Sequence, residues 1–356
     1  MLIQNALVYG EDFTPRRGSL AVRDGKIAAL GEQLNPADWG EVLDAQGARL
    51  VPGFIDIHVH GGLGYSVGDA NAVSLDAIAR LLASQGVTSF CPAVGADSPE
   101  ALEDAFRAAG EFMGHERGAY IHGMHMEGPF IAPVPGGAQK SRHMRWPSAE
   151  ELLRLRRLAP VAVLGMAPEL PGARALAREA SQQHRVAFAH STAAYEEGLA
   201  GLEAGFSHAV RLFCDMPPLL PRAPGLAAAV LDDPRATAEL ICDGVCVHPA
   251  MVRAAFRLLG EHRAAVVSDA APAAGLPGSG GGSLFDGFCN LLAWGIDEST
   301  ALRAVTLNPA RVIGAQEATG SLEAGKAADL LLADENWNLR AVIIHGVLQE
   351  TLQMDE

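Results

Sequence analysis

The spacing of hydrophobic residues changes near residue 50. Before it, the chain forms short runs rich in β-forming residues at Leu2–Val8, Ser19–Val22 and Lys26–Leu30. Asp24 and Gly25 separate the last two runs and form the kind of hairpin turn that needs positive φ. After residue 50, short apolar runs alternate with stretches of helical period, which is typical of parallel strands joined by crossover helices. We therefore predict a small antiparallel sheet followed by an α/β domain.

Eight apolar runs of the second region have the length and composition of buried strands. They are Gly53–His60, Thr88–Val94, Tyr120–Met126, Val161–Ala167, Val186–His190, His208–Phe213, Ala236–Asp243 and Ala264–Asp269. The helices predicted between them include Asn71–Gln85, Ser98–Phe112, Ser148–Leu158, Gly172–Gln183, Tyr195–Ala204 and His248–Leu259. Eight parallel strands are the number that closes a (β/α)8 TIM-type barrel, so the predicted fold class is α/β with such a barrel.

The segment after the eighth strand predicts how the chain ends. Leu284–Trp294 and Glu298–Ile313 have helical patterns, and Ala328–Gln353 returns to alternating strands. The simplest account is that both chain ends build one small β-sandwich domain, from residues 1–50 and 320–356, beside a barrel of residues 51–319. The glycine-rich segment Leu276–Ser283 predicts a loop at the functional end of the barrel.

Composition narrows the function classes. The 356 residues are 49% hydrophobic and carry a formal net charge of −15. Such an acidic chain disfavours nucleic acid or an anionic membrane as its main partner. The sequence shows no secretory leader and no membrane span, so we expect a soluble cytoplasmic protein. The five cysteines are odd in number and dispersed, which predicts reduced thiols.

Residues of the metal-ligand type end four of the predicted strands. His58 and His60 are two apart, so they project from the same side of the first strand. Glu127 follows the third strand, His190 ends the fifth, and Asp269 ends the eighth. Taken singly, Glu127, His190 and Asp269 are each about as well explained by a structural hydrogen bond. Together they meet at the catalytic rim of one barrel, where histidines and a carboxylate suit Zn²⁺ and a spare aspartate suits a general base.

These positions belong to motifs that run in order along most of the chain. They are P-G-F-I-D-I-H-V-H-G-G at 52–62, H-M-E-G-P-F at 125–130, M-A-P-E at 166–169, A-H-S at 189–191, R-A-P-G-L at 222–226, D-G at 243–244, S-D-A at 268–270 and G-S-L-E-A-G-K-A-A-D-L at 320–330. In these motifs the chain resembles the amidohydrolase superfamily and, within it, the N-acetylglucosamine-6-phosphate deacetylase family.

The resemblance implies a barrel with a small β-sandwich, metal-dependent hydrolysis of an acetamide in amino-sugar catabolism, and a homodimer. By motif position it makes Glu127 and His190 metal ligands. It makes His58 and His60 ligands of a second site that part of the family uses. It makes Asp269 the general base and then the general acid.

The chain departs from the family at a metal-ligand position. The motif T-H-L-[FY]-N-A-M-P reads V-R-L-F-C-D-M-P at 210–217, so Arg211 stands where the family has a histidine ligand. A guanidinium stays protonated and has no lone pair to give, so the site of His190 should be weakened or lost. His208 lies on the opposite face of a regular strand and could replace the ligand only through a bulge. We expect one divalent ion near His58 and His60, zinc first, with iron, manganese or cobalt as alternatives.

Substrate-binding positions have changed as well. The resemblance assigns substrate contacts to Arg222, Ala138, Gln139, Arg211, Cys214, Asp215, Cys246 and Gly282. Arg222 keeps the phosphate-binding role that in the family often reaches across the dimer interface. Gln139 and Cys246 replace family histidines, and Cys214-Asp215 replaces an Asn-Ala pair. Arg211 and Asp215 either face substrate or pair with each other. The segment after the eighth strand is shorter than in the family, which predicts a more open pocket.

Three hypotheses follow. The first is a hydrolase that removes acetyl from an N-acetylated amino sugar phosphate. The second keeps the chemistry and changes the substrate to another N-acyl compound, including an unphosphorylated sugar. The third is a non-catalytic sugar-binding homologue, motivated by Arg211. His248 is expected to begin a helix, although a shifted loop would present it to substrate in place of Cys246.

Overall fold

The computed structural model describes residues 1–134, 139, 141–277 and 282–349. Its strands are β1 (Leu2–Tyr9), β2 (Pro15–Arg23), β3 (Lys26–Gly31), β4 (Val42–Asp44), β5 (Arg49–Pro52), β6 (Phe54–Val59), β7 (Gly61–Gly62), β8 (Tyr65–Ser66), β9 (Val87–Val94), β10 (Tyr120–Ile121), β11 (Met124–Met126), β12 (Val161–Met166), β13 (Arg185–Phe188), β14 (His208–Ala209), β15 (Thr237–Ile241), β16 (Ala264–Val267), β17 (Leu330–Ala333), β18 (Leu339–Ile344) and β19 (Val347–Leu348). The helices are α1 (Ala72–Ser84), α2 (Pro99–Phe112), α3 (Ala149–Leu155), α4 (Ala173–Ala180), α5 (Tyr195–Glu203), α6 (Gly225–Asp232), α7 (Pro249–Arg263), α8 (Leu284–Ala293), α9 (Glu298–Val305) and α10 (Leu307–Val312).

The two chain ends share one sheet, as predicted. Its strand order is β19-β18-β17-β5-β1-β2-β3, with β4 beside β1. Asp24 and Gly25 have φ of 51° and 73°, the two positive values that the hairpin between β2 and β3 requires. The sheet is not wholly antiparallel, because β1 pairs in parallel with β4 and β5. Residue 50, the expected end of the first segment, lies within β5, and the domain boundaries stay a prediction.

The parallel sheet closes into the predicted barrel. Its order runs from β9 through β11, β12, β13, β14 and β15 to β16, with β6 beside β9 and β10 preceding β11 at the same position. The first and last strands meet through a parallel bridge between Val59 and Ala270. His60 donates its backbone N–H to the Ala270 carbonyl at 2.8 Å. The carboxyl ends of the strands therefore form one rim, on which the side chains below converge.

Polar caps start the helices that follow the strands. Ser98 caps α2 by accepting from the Ala101 N–H, and His248 caps α7 by accepting from the Ala250 N–H. This places His248 at the beginning of a helix, as its neighbouring proline indicated. The predicted helix Glu298–Ile313 is instead two helices, because Thr306 between α9 and α10 has φ −132° and ψ −83°, outside the helical region.

The predicted sixth barrel strand, His208–Phe213, is wrong at its end. The observed strand stops at Ala209, and a turn occupies residues 210–213. Arg211 and Phe213 have φ of 46° and 76°, which is left-handed backbone outside the region of a regular strand. The turn sends Arg211 into the barrel mouth.

The sequence predicted no membrane span and reduced cysteines, and both points can be compared with the described residues. No helix among them is long and apolar enough to cross a membrane. The five cysteines are free thiols, and Cys91 and Cys242 are buried.

Candidate active site

The predicted ligand-type side chains meet at the rim. His58 lies in β6, Glu127 directly follows β11, and His190 and Asp269 each follow the end of their strands by two residues. His190 and Asp269 have positive φ angles of 39° and 50°. Arg211 and Asp215, which lie beside them, also have positive φ angles, of 46° and 51°. Left-handed backbone in non-glycine residues is strained, and such strain concentrates at functional sites.

One half of the site is formed by His58, His60, Glu127 and Asp269. The Nε2 atoms of His58 and His60 lie 3.1 Å apart, and each is 3.6 Å from Oδ1 of Asp269. Glu127 completes the group, with Oε1 3.6 Å from His58 Nε2 and Oε2 3.3 Å from His60 Nε2. The ligand atoms of His58, His60 and Glu127 all lie within 4.8 Å of one another, and Asp269 Oδ1 lies beside the two imidazoles.

These separations fit a divalent metal ion. Four tetrahedral ligands at about 2.0 to 2.1 Å from an ion lie about 3.3 to 3.4 Å from one another. Asp269 Oδ1 is buried and has no hydrogen-bond partner among the described residues. A buried carboxylate oxygen without a partner costs free energy unless a cation binds it. Two imidazoles and one carboxylate, with a second carboxylate beside them, form a donor set that suits Zn²⁺.

Glu239, in β15, holds His58 from below. Its Oε2 accepts from Nδ1 of His58 at 2.8 Å, and both side chains are fully buried. This bond leaves the Nε2 lone pair of His58 facing the other ligand-type atoms. Burial lowers the pKa of His58, but the carboxylates of Glu239, Glu127 and Asp269 outweigh it and raise that pKa to about 9.

Sequence reasoning missed Glu239, although a usable signal was present. It is an acid inside the otherwise apolar strand T-A-E-L-I, the same kind of signal that identified Glu127. Its other oxygen, Oε1, is 3.2 Å from Nε2 of His208. His208 also contacts Thr237 at 2.7 Å, so it supports Glu239 and does not replace the missing family ligand.

Arg211 occupies the other half of the site. Its Nη1 donates to Asp269 Oδ2 at 2.8 Å, and its Nη2 contacts Asp215. Nη2 also lies 3.4 Å from Glu127 Oε1 and 3.3 Å from His190 Nε2. Burial lowers the pKa of Arg211, but the three carboxylates outweigh it and raise that pKa above its already high ordinary value. Of the two alternatives for Arg211 and Asp215, the structure shows the ion pair, and Arg211 also lines the cavity described below.

Glu127 links the two halves. Its Oε1 contacts His190 Nε2 at 2.8 Å, and its Oε2 accepts from Gln139 Nε2 at 2.7 Å. Burial would raise the pKa of Glu127, but the contacts with His190 and His60 outweigh it and hold that pKa well below the ordinary value. Gln139 is fixed by a second bond, from the Ala96 N–H to its Oε1 at 2.8 Å.

A cavity of about 390 Å³ opens onto both halves. Its described lining is His60, Ser66, Gly68, Ala93, Val94, Gly95, Ala96, Asp97, Ala101, Leu102, Ala105, Glu127, Gln139, Arg211, Asp269 and Ala271. One wall is apolar and comes from the start of α2, which suits an acyl group. The volume suits a small-molecule ligand. A Cβ at Gly95 would lie 2.3 Å from Gln139 Oε1, so a side chain there would displace the Gln139 amide from Glu127.

The remaining predicted substrate positions do not line the described part of the cavity. Arg222 is exposed, Cys214 packs half-buried against the core, and Cys246 is exposed beyond β15. Gly282 precedes α8, where a Cβ would contact Asp286. Ala138 lies outside the described residues.

The motifs and the geometry agree with the comparison with known proteins. The Amidohydrolase family model matches residues 253–348. Over 93% of this chain and 91% of the other, the sequence is 30% identical to the N-acetylglucosamine-6-phosphate deacetylase of Mus musculus. The chain belongs to the N-acetylglucosamine-6-phosphate deacetylase family. It is also 31% identical to the N-acetylgalactosamine-6-phosphate deacetylase of Escherichia coli O157:H7, over 92% of this chain and 94% of that protein.

Solved structures of the family have the same fold. The N-acetyl-D-glucosamine-6-phosphate deacetylase of Mycobacterium smegmatis superposes with a TM-score of 0.88 and 30% identity, covering 98% of this chain and 99% of that one. A mutant of that enzyme, solved in complex with N-acetyl-D-glucosamine-6-phosphate, superposes with a TM-score of 0.87 and 28% identity over 98% of this chain. The family fold, a barrel with a β domain from both chain ends, is thus confirmed for this chain.

Proposed function

We propose that this protein is a metal-dependent amide hydrolase that removes the acetyl group from an N-acetylated amino sugar 6-phosphate. The observation that carries the proposal is the buried, unpartnered Asp269 Oδ1, 3.6 Å from Nε2 of both His58 and His60. An acid and two imidazoles that can hold a divalent ion are what the reaction needs in one place. The substrates named for the family relatives supply the substrate class.

The metal would be held by His58, His60 and Glu127, with Asp269 beside it, and we propose one Zn²⁺. When bound, such an ion polarises the amide carbonyl and makes a water molecule acidic enough to attack it. His190 is turned to Glu127 and Arg211 and so lies outside this ligand set. Its proposed role is to orient Glu127.

Asp269 is the proposed proton carrier. It takes a proton from the attacking water and returns it to the amine as the C–N bond breaks. Arg211 holds Oδ2 of Asp269, so Oδ1 keeps its direction towards His58 and His60. The apolar wall formed by Ala101, Leu102 and Ala105 would exclude water from the acyl side of the cavity.

The test is release of acetate. Purified protein supplied with Zn²⁺, Fe²⁺, Mn²⁺ or Co²⁺ should release acetate from N-acetylglucosamine 6-phosphate. Asp269→Asn should lower kcat by about 10² to 10⁴, because the amide cannot accept the proton. No acetate from any N-acyl sugar would contradict the hydrolase proposal and favour a sugar-binding protein. A full rate in Asp269→Asn would contradict the mechanism.

A second candidate is the same chemistry on another N-acyl substrate. The observation that favours it is that Arg211 is the only Arg or Lys in the described cavity lining and is already paired with carboxylates. A phosphate needs cationic donors that are free to bind it. Comparing kcat/KM for phosphorylated and unphosphorylated N-acetylhexosamines decides between the two, and a strong preference for the phosphorylated sugar rejects the second.

We also propose a cytoplasmic homodimer in which Arg222 serves the cavity of the partner subunit. Support comes from exposed apolar side chains near Arg222 on the rim, where Leu219 and Leu220 are 44% and 51% exposed. Val245, on the neighbouring loop, is 80% exposed. Sedimentation should give twice the chain mass, and Arg222→Ala should raise KM for the phosphorylated sugar only. A monomer that binds phosphate normally would contradict both points.

A further inference from the structure

We propose that Arg211 is a built-in cation that takes the place of a second metal ion, so that this centre binds one ion and not two. Its second effect is to position Asp269. The inference rests on the proposed function for its catalytic consequence. Its structural part rests on the contacts of Arg211 alone.

Four ligand-type groups converge on the guanidinium. Besides Asp215, they are Asp269 Oδ2 at 2.8 Å, His190 Nε2 at 3.3 Å and Glu127 Oε1 at 3.4 Å. Three carboxylates and an imidazole are a donor set that would attract a divalent cation if the arginine were absent. The guanidinium therefore fills a cation site made of metal-ligand groups.

A metal ion cannot share this position. Arginine remains protonated in proteins and donates no lone pair, so an ion placed among its Nη atoms would meet a like charge in a largely buried site. Arg211 also uses Oε1 of Glu127 and Oδ2 of Asp269, whereas Oε2 and Oδ1 face the two imidazoles of the other half. Asp269 thus divides its two oxygens between the arginine and the imidazoles, whereas Glu127 Oε1 also lies 3.6 Å from His58 Nε2.

The charges of this arrangement disfavour a second metal ion. Glu127, Asp215 and Asp269 contact the guanidinium, and Glu239 contacts His58, so four negative charges meet one guanidinium and one divalent ion. With two divalent ions and the guanidinium the same group would have an excess of positive charge in a largely buried place, which is costly.

Positioning of Asp269 follows from the direction of the bond. The planar guanidinium reaches Asp269 with Nη1 and Asp215 with Nη2, so the position of one carboxylate is tied to that of the other. A lysine has a single ammonium and cannot span both carboxylates in this way. Arg211→Lys should therefore keep the charge and lose part of the alignment.

The experiment is a cobalt titration of metal-free protein, followed by absorption of the bound Co²⁺ and by elemental analysis after dialysis. The variants are Arg211→His, which replaces the cation by a metal ligand, and Arg211→Lys, which keeps the charge. Arg257→His is the matched control, because Arg257 is exposed on α7 and a histidine there has no ligand partners at the site. Circular dichroism melting verifies that each variant is folded.

We expect one equivalent of Co²⁺ for the wild type, Arg211→Lys and Arg257→His, and a second equivalent for Arg211→His. Two equivalents in the wild type, or no added equivalent in folded Arg211→His, overturns the inference. A wild type without metal whose Arg211→His variant gains one equivalent would contradict the proposed metal site and the one-ion count, and would support only the part of the inference that Arg211 fills a cation site. No metal in either protein contradicts both.

The positioning role has its own readout. If Arg211 acts through Asp269, Arg211→Lys lowers kcat while KM changes little, and Arg211→Met lowers kcat further. Arg211→Lys with the full wild-type kcat would show that only the charge matters and would remove the positioning role.

Discussion

The two halves of the site use the same kinds of side chain to different ends. On one side His58 and His60 face Asp269 Oδ1, which has no hydrogen-bond partner among the described residues. On the other side His190 and the second oxygen of Asp269 face a guanidinium. One half needs a cation from solution, whereas the other carries its own.

The difference shows that buried carboxylates can be neutralised by a group that cannot catalyse metal-dependent hydrolysis. A guanidinium neutralises buried carboxylates as an ion does, but it offers no open coordination position to polarise a carbonyl or activate water. Chemistry should therefore be confined to the half that contains His58 and His60. The predictions below test that division.

The largest effect should come from removing His58 and His60, the two histidines of the proposed metal half. His58→Ala combined with His60→Ala should abolish metal retention and reduce acetate release to less than about 1% of the wild type. Elemental analysis and the acetate assay measure both. His190→Gln is the matched variant in the other half and should keep its bound ion. Equal metal loss in both variants would contradict the division.

A smaller effect is expected at Glu239. Glu239→Gln should weaken metal affinity by about 10- to 100-fold, because the amide no longer fixes the Nδ1–H tautomer of His58 as a carboxylate does. Competition with a chelator of known affinity measures it. His208→Gln, which alters a neighbour of the other Glu239 oxygen, is the control and should change affinity less. An unchanged affinity in Glu239→Gln would remove Glu239 from the metal site.

Asp215 tests how strongly the position of Arg211 depends on its carboxylate partners. Asp215→Asn removes one of the three carboxylates around Arg211, and since two remain we expect kcat to fall by about tenfold or less with the metal content unchanged. Steady-state kinetics and elemental analysis provide the measurement. A lost metal ion would mean that the two halves are not independent.

The smallest effect on the site should come from the distant β domain. Gly25 has φ of 73°, and an added Cβ would lie 3.2 Å from the His345 carbonyl oxygen. Gly25→Ala should therefore destabilise the fold by about 1 kcal/mol or somewhat more. Denaturant unfolding measures that loss, and the metal content should stay at the wild-type value. Metal loss here would show that stability alone controls retention and would weaken the conclusions from the other variants.

Much of the site could be predicted because its residues end strands of one barrel. His58, His60, Glu127 and Asp269 stand where apolar runs stop, and the carboxyl ends of such runs share a rim. Arg211 was recognised as a departure, but the assumed strand through residue 213 hid the turn that carries it inwards. Glu239 was not predicted, because the expectation of a site at strand ends does not include a residue in the middle of a strand.

The sequence by itself determined the barrel, the β domain from both chain ends and the residue types at the rim, because periodicity and strand ends are local properties of the chain. Only the tertiary structure decided what Arg211 does. A long, charged side chain can reach solvent or turn inwards, and the choice depends on carboxylates supplied by other strands. Glu127 and Asp269 come from the third and eighth barrel strands, and only closure of the barrel places both within reach of the guanidinium.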